Sequence, residues 1–131
     1  MIPVRLSIKG LYSYREKQEI DFQALVASQL FGIFGAVGSG KSSILEAIMF
    51  ILFDQSDRLN AKDNRYYNML NLQSHEMEID FIFRAGIQST EQYRFYFLAK
   101  RNKNDFEKVE VKDRACYRWK KDTWTPLTKE D

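Results

Sequence analysis

The chain has 131 residues, of which 44% are hydrophobic and 29% charged, so it is long enough for one compact domain with its own core. Lys and Arg total 20 against 18 for Asp and Glu, and the net charge of +2 neither requires nor excludes a polyanionic partner. One cysteine and one histidine exclude an internal disulfide and a Cys/His zinc site.

The sequence carries no sign of export or of a membrane span. The N-terminus lacks the basic-then-apolar order of a signal peptide. The longest apolar stretch, residues 47–53, is far shorter than the ~20 residues that cross a bilayer. We therefore expect a reducing, cytoplasmic location and no membrane partner.

The first third of the chain predicts three strands. Residues 2–8 alternate between apolar and polar side chains, which is typical of a half-exposed strand, and Gly10 ends it. Residues 19–22 predict the return strand of a hairpin. Residues 30–34 form a short, continuous apolar run, as expected of a strand that is covered on both faces.

A glycine-rich turn over residues 35–40 separates this buried strand from a predicted helix over Lys41–Phe53. Apolar residues surround nearly the whole helix, so it must be buried on most sides. Residues 54–74 are polar and irregular and predict a loop with one helical turn. Beyond them the pattern is that of strands and hairpin turns, with strands at 77–84, 93–97, 109–111, 117–119 and 123–125.

This set of elements is unusual for an α/β protein. A parallel sheet needs several crossover units to cover its faces, and only one strand–turn–helix unit is predicted. We therefore expect an α/β fold in which the sheet around residues 30–34 gains strands from elsewhere.

The segment Gly35-Ala36-Val37-Gly38-Ser39-Gly40-Lys41-Ser42 matches the pattern G-x-x-x-x-G-K-[ST] at every fixed position, between a buried strand and a helix start. Its glycines let backbone amides turn inward as an anion cradle, to which the helix adds its first-turn amides and positive dipole end. Lys41 supplies a cation for the β- and γ-phosphates, Ser42 a hydroxyl ligand for Mg²⁺, and Ser43 a hydroxyl near the α-phosphate. A glycine turn without a ligand is the simpler alternative, but Lys-Ser at this offset favours nucleotide binding.

Hydrolysis requires more than this loop. A P-loop ATPase also needs an acidic residue at the end of a neighbouring strand and a group that activates water. Asp54 follows an apolar run but lies roughly 18 Å from Ser42, at the far end of the same helix. Glu78 and Asp80 alternate with core residues of a strand and are predicted to face solvent. We expect this chain to carry half of a catalytic site.

The chain resembles the opening of an SMC-like ABC-type P-loop ATPase of the SbcC double-strand-break-repair kind. The resemblance lies in residues 6–16 with 19–22, in residues 30–35 and in residues 38–48. The hairpin of the form G-φ-x-S-Y-x-E…I-D-F before the P-loop makes the resemblance specific to this family, because a P-loop alone occurs in many families. The similarity extends through the antiparallel segment 77–125. It implies the N-terminal half of an ABC-ATPase head: an antiparallel β subdomain with one strand–P-loop–helix unit, its sheet incomplete without the C-terminal lobe.

In that family the C-terminal lobe supplies the ABC signature, Walker B, D-loop and switch histidine after a long coiled coil. The resemblance implies ATP or ADP with Mg²⁺ as cofactors, Lys41 as the catalytic residue, and a Q-loop glutamine, for which Gln88 and Gln92 lie too early. Residues 1–131 are thus expected to be one domain that stops before the Q-loop. The implied partners are the C-terminal lobe, a second head in an ATP-dependent homodimer, an SbcD-type nuclease and DNA.

The resemblance also places Tyr12, Ser13 and the loop containing Asn71 on the adenine side. The chain departs from the break-repair pattern at Val37, where Asn is frequent, and near Tyr12, where Arg is frequent. Two basic segments with interleaved aromatic residues, 100–103 and 114–121, can form a DNA-facing patch, although acidic neighbours make a solvated sheet face the alternative. Phe50 and Phe53 are predicted to pack against the C-terminal lobe.

The favoured hypothesis is the ATP-binding lobe of an SbcC-like ATPase that acts in DNA double-strand-break repair or end processing and gates a nuclease by ATP-driven head dimerisation. The intact protein is then an ATPase, whereas this chain alone binds nucleotide without turnover. An SMC- or RecF/RecN-like DNA-maintenance ATPase and a non-catalytic, nucleotide-dependent interaction module remain alternatives. A self-contained P-loop kinase or GTPase needs parallel strands and an acidic or base-recognition motif that the sequence lacks.

Overall fold

The computed structural model describes residues 1–23, 41–53, 65–86, 88 and 90–127. The predicted strand at 30–34 and the glycine-rich loop at 35–40 lie outside these ranges, as do Asp54 and the side chains of residues 41–43.

An antiparallel sheet forms the body of the described chain. Its six strands are β1 (Ile2–Lys9), β2 (Gln18–Asp21), β3 (Glu76–Ala85), β4 (Glu91–Arg101), β5 (Val109–Lys120) and β6 (Thr123–Pro126). They lie in the order β2-β1-β3-β4-β5-β6, and each neighbouring pair is antiparallel. Between β2 and β3 the described residues form helices α1 (Lys41–Phe53) and α2 (Arg65–Met69). Both the predicted helix and the single helical turn after it are confirmed.

One face of the sheet is apolar and carries α1. Because side chains alternate along a strand, Ile79, Phe81 and Phe97 share this face with Leu6 of β1, and all four are fully buried. From α1, Ala47, Phe50 and Ile51 complete the same core.

Phe50 is central to this packing. Its ring meets Phe97 edge-on at 5.0 Å between centroids, and Tyr66 of α2 at 6.2 Å. The prediction that Phe50 packs against another lobe is therefore wrong: the side chain is 1% exposed within this chain's own core, because it lies one turn from Ala47 and faces the sheet. Phe53, on the other side of the helix end, is 66% exposed.

The other face of the sheet is polar. Glu78 and Asp80 lie on it, away from α1, and each is engaged with β4: Arg94 donates to both carboxylate oxygens of Asp80 at 2.9 and 2.7 Å, and the Tyr96 hydroxyl donates to Glu78 at 2.8 Å. Burial and the Glu78 carboxylate raise the pKa of Tyr96 above its ordinary value.

Both edge strands of the sheet contribute to one cavity. A cavity of about 230 Å³ on the polar face is lined both by Glu19 of one edge strand and by Trp124 of the other.

Strand β5 differs from the prediction of two short segments. It is continuous over 12 residues, with a register shift between Leu98 and Ala99 of β4. Val111 pairs with Ala99 and Arg114 with Phe97, so the shift places residues three apart on the same face and interrupts the period of two. The alternation on which the prediction depended is therefore broken by a bulge, although the strand continues.

Gly10 allows the β1–β2 hairpin to approach β3. Its φ is +67°, and a Cβ built on it lies 2.1 Å from the carbonyl oxygen of Glu76, a backbone atom that cannot rotate away. Gly86 also has a positive φ, of +88°, but its added Cβ meets only the flexible Glu91 side chain, at 3.0 Å.

We expect Gly10→Ala to lower the free energy of unfolding by more than about 2 kcal/mol, because backbone strain and a backbone clash add. Gly86→Ala is the matched control and should lose only the strain, about 1 kcal/mol. Urea unfolding midpoints of the two variants measure the difference. Equal losses of stability would show that the clash with the Glu76 carbonyl adds nothing to the backbone strain.

Candidate nucleotide-binding site

Helix α1 begins at Lys41, the first residue after the glycine-rich loop. The predicted helix start is thus confirmed, and residues 41–43 form its first turn, where backbone amides have no partner within the helix. Free amides and the positive end of the helix dipole are the groups that bind an anion at such a position.

The core fixes the direction of this helix. Ala47, Phe50 and Ile51 are at most 4% exposed, and each buried large side chain contributes about 2 kcal/mol of transfer free energy. A rotation of α1 would pull these side chains off the sheet, so its first turn is held in place from two turns away.

A second part of the predicted site is the junction between the β1–β2 hairpin and the loop after α2. The backbone N–H of Tyr12 donates to the Met69 carbonyl at 2.7 Å. In return, the backbone N–H of Asn71 donates to the Gly10 carbonyl at 2.8 Å, and the Asn71 side-chain amide donates to the Tyr12 carbonyl at 2.7 Å. The fold therefore brings together Tyr12 and Asn71, which the sequence separates by 59 residues.

Ser13 lies beside this junction in an exposed turn, which two hydrogen bonds between Leu11 and Tyr14 close at 3.0 and 2.8 Å. The Asn71 side chain has a structural task as well: its Oδ1 accepts from the backbone N–H of Gln73 at 2.9 Å. Asn71 thus organises its own turn and holds the hairpin, and its contact with adenine stays a prediction.

Sequence reasoning missed the role of Arg101, which it had assigned to a DNA-facing patch. The side chain points inward and is 8% exposed. Its guanidinium donates to the carbonyls of Asn71 and Ser74, both at 3.3 Å, and to that of Phe106. The assignment of Arg101 to an exposed patch is wrong, and the period of two that runs from Phe97 to residue 101 was the signal that could have placed it inside.

In the segment 114–121, Arg114 and Arg118 lie on the opposite face of the sheet from Tyr117, the aromatic residue between them. Arg114 pairs across β4 with Phe97 and Arg118 with Tyr93, so both lie on the α1 face, whereas Tyr117 pairs with Arg94 on the polar face. Arg118 also binds the Glu91 carboxylate at 2.7 Å. Arg114 and Arg118 therefore do not share a surface with Tyr117, and the charge of Arg118 is already paired within the sheet.

Acidic groups for a metal are not gathered in the described ranges. Within residues 1–23, 41–53, 65–86, 88 and 90–127, no cluster of three or more His, Cys, Asp or Glu side chains can hold an ion. Glu78 and Asp80 lie across the sheet from α1, as the alternation predicted. Among the same residues, neither helix has the length and apolarity that a bilayer crossing needs.

Known structures share this fold. The chain aligns over 97% of its length with the structure of the recombination mediator protein RecF bound to ATP, of which it covers 28%, with a TM-score of 0.60 and 14% identity. At this identity the likeness concerns the fold alone, and together with the family match below it shows a P-loop ATPase fold.

Curated relatives also indicate a P-loop ATPase. The SbcC component of the nuclease SbcCD of Bacillus subtilis is 37% identical over 116 residues, 88% of this chain and 10% of that protein. A probable DNA double-strand break repair Rad50 ATPase of Aquifex aeolicus is 34% identical over 95 residues, 71% of this chain and 9% of that protein. The chain thus spans about a tenth of the length of these relatives.

These relatives confirm the resemblance to SbcC-type ATPases that the hairpin and P-loop indicated. A family model described as an AAA domain matches residues 5–129, nearly the whole chain. The chain belongs to this AAA domain family and, within it, is similar to the SbcC and Rad50 ATPases.

Proposed function

We propose that this chain is the ATP-binding lobe of an SbcC-like ATPase that acts in DNA double-strand-break repair or DNA end processing. The observation that carries the proposal is a complete P-loop motif that leads directly into α1 at Lys41, within a chain similar to SbcC over most of its length. ATP hydrolysis then belongs to the intact protein.

In this proposal the triphosphate lies against the backbone amides of residues 35–40 and the first turn of α1. The residue types fit such a ligand, because the glycines permit close approach of the backbone and the helix start offers amides with no internal partner. Lys41 neutralises charge that develops on the β- and γ-phosphates, and Ser43 donates a hydroxyl near the α-phosphate.

Ser42 is the residue of the motif that is proposed to hold Mg²⁺, through its hydroxyl. When bound, the ion would offset the negative charge of the phosphates. The acidic ligand and the water-activating group that hydrolysis needs are proposed to come from a C-terminal lobe. This is consistent with the position of Glu78 and Asp80 on the far face of the sheet.

Tyr12, Ser13 and Asn71 are proposed to lie on the base side of the nucleotide. The hydrogen bonds of the hairpin junction support this, since they make the Tyr12 turn and the Asn71 loop one rigid unit. A rigid unit positions a base better than two separate loops.

The remaining parts of the proposal concern the whole protein. Residues 1–131 form one lobe that precedes a Q-loop and a coiled coil, and the sheet gains strands from the C-terminal lobe. Two such heads dimerise on ATP and gate an SbcD-type nuclease that acts on DNA. The exposed Phe53 is available for contact with the other lobe, because no packing in the described chain covers it.

A second candidate is a RecF-like DNA-maintenance ATPase without a nuclease partner, which the fold likeness to RecF favours. Sequence similarity to SbcC over most of the chain makes the first proposal the stronger one. Co-purification of a nuclease with the intact protein separates the two candidates.

We expect Lys41→Ala to weaken ATP binding by the intact protein about 10- to 100-fold, because a charge-assisted bond to phosphate is lost. Lys112→Ala is the control, since Lys112 is an exposed β5 lysine paired with Glu110 and should keep full affinity. Calorimetric titration with ATP and Mg²⁺ provides the measurement. Equal affinities in the two variants would contradict a phosphate role for the P-loop.

The 131-residue chain alone is expected to bind ADP or ATP but to release phosphate no faster than its Lys41→Ala variant. The reason is that half of the catalytic groups are proposed to lie elsewhere. Phosphate release under steady-state conditions measures this. Sustained hydrolysis that disappears in Lys41→Ala would reveal a catalytic group within these residues.

A further inference from the structure

Arg101 occupies a position where three segments meet. It ends β4, and its guanidinium reaches the loop between α2 and β3 through the carbonyls of Asn71 and Ser74, and the turn between β4 and β5 through that of Phe106. The Phe106 ring lies 3.9 Å from the guanidinium carbon, so the side chain is stacked as well as hydrogen-bonded.

A buried cation holds its surroundings in one arrangement. Removing a charged group from water is unfavourable unless its hydrogen bonds are satisfied, and Arg101 is 8% exposed. The carbonyls that satisfy it must therefore stay where they are. A planar guanidinium donates in several fixed directions at once, which a lysine ammonium on a flexible stem does not reproduce.

The same loop controls the backbone of Tyr12. Tyr12 has a φ of 50°, in the left-handed region that residues with a Cβ rarely adopt, and such strain persists only where surrounding contacts over-determine it. Two hydrogen bonds do this: the Tyr12 N–H donates to Met69, and the Asn71 amide donates to the Tyr12 carbonyl. Arg101 binds the carbonyl of Asn71 itself, and Met69 lies just before Asn71 in the chain.

We infer that Arg101 is a positioning residue for the base side of the nucleotide site: it fixes Asn71, which holds Tyr12 in its strained conformation. The inference rests on the proposed function, because it takes Tyr12 and its neighbours as the base-side contacts. In this inference Arg101 acts only through the loop, without contact to the phosphates or the reacting atoms.

The test compares two ligands of the intact protein, ATP and inorganic tripolyphosphate, which shares the phosphates but has no base. Arg101→Gln should weaken ATP binding about five- to tenfold, the loss expected from one or two misplaced neutral contacts, and leave tripolyphosphate binding unchanged. Asn71→Ala should have the same effect, and the double variant should lose no more than either single one, because both act through one path.

Arg94→Gln is the matched control. Arg94 is also a partly buried arginine of β4, but it binds Asp80 on the opposite face of the sheet. Its removal should lower stability without changing the ratio of ATP to tripolyphosphate affinity. If Arg101→Gln fails to fold, Arg101→Lys carries the same expectation, because it keeps the cation and loses the fixed set of donors.

Three results overturn the inference: an unchanged ATP affinity in a folded Arg101 variant, an equal loss for both ligands, or the same change of ratio in Arg94→Gln. Failure of the proposed function has a different signature. If the proposed function is wrong, Lys41→Ala will leave the affinities for both ATP and tripolyphosphate unaltered, regardless of the effect of the Arg101 substitutions.

Discussion

The packing of α1 on the apolar face of the sheet is the constraint on which the rest of the structure depends. The edge-on contact between Phe50 and Phe97 ties the C-terminal half of the helix to the middle of β4, and Ala47 and Ile51 pack in the same core. Because a helix is stiff, this contact sets where its first turn lies. Any ligand that binds the amides before and within that turn depends on a core two turns away.

The two faces of the sheet divide the tasks of the chain. The apolar face holds α1 and, at its end, Arg101, which joins the loops of the hairpin junction. On the polar face, charged side chains of neighbouring strands pair with each other, as Arg94 does with Asp80. The hydrogen bond to Asp80 raises the pKa of Arg94 above its ordinary value. The carboxylates of β3 are thus engaged on the face away from the helix.

Much of this architecture could be predicted from the sequence. The hairpin, α1 and the alternation of β3 follow from regular periods in the hydrophobic pattern. The P-loop, which lies outside the described residues, stays a prediction from fixed spacing. Errors arose where the pattern is interrupted or ambiguous. The bulge within β5 shifts the alternation by one residue, and Phe50 lies on a helix so apolar that its faces cannot be ranked from sequence.

The roles of Asn71 and Arg101 could not be predicted for a different reason. Each depends on backbone carbonyls of segments that are far apart in sequence, such as the 59 residues between Tyr12 and Asn71, and a carbonyl has no sequence signature. Composition identified a basic segment at 100–103, but only the fold shows that one of its cations points inward. Hydrogen-bond networks between distant loops are therefore the part of a site that is hardest to predict from the sequence.

The most direct measurement is an experimental structure of the intact protein with a non-hydrolysable ATP analogue and Mg²⁺. The account predicts the triphosphate on the amides of residues 35–40 and the first turn of α1, with the base beside the turn that contains Tyr12. A nucleotide bound elsewhere, or a triphosphate that does not contact the start of α1, would contradict it.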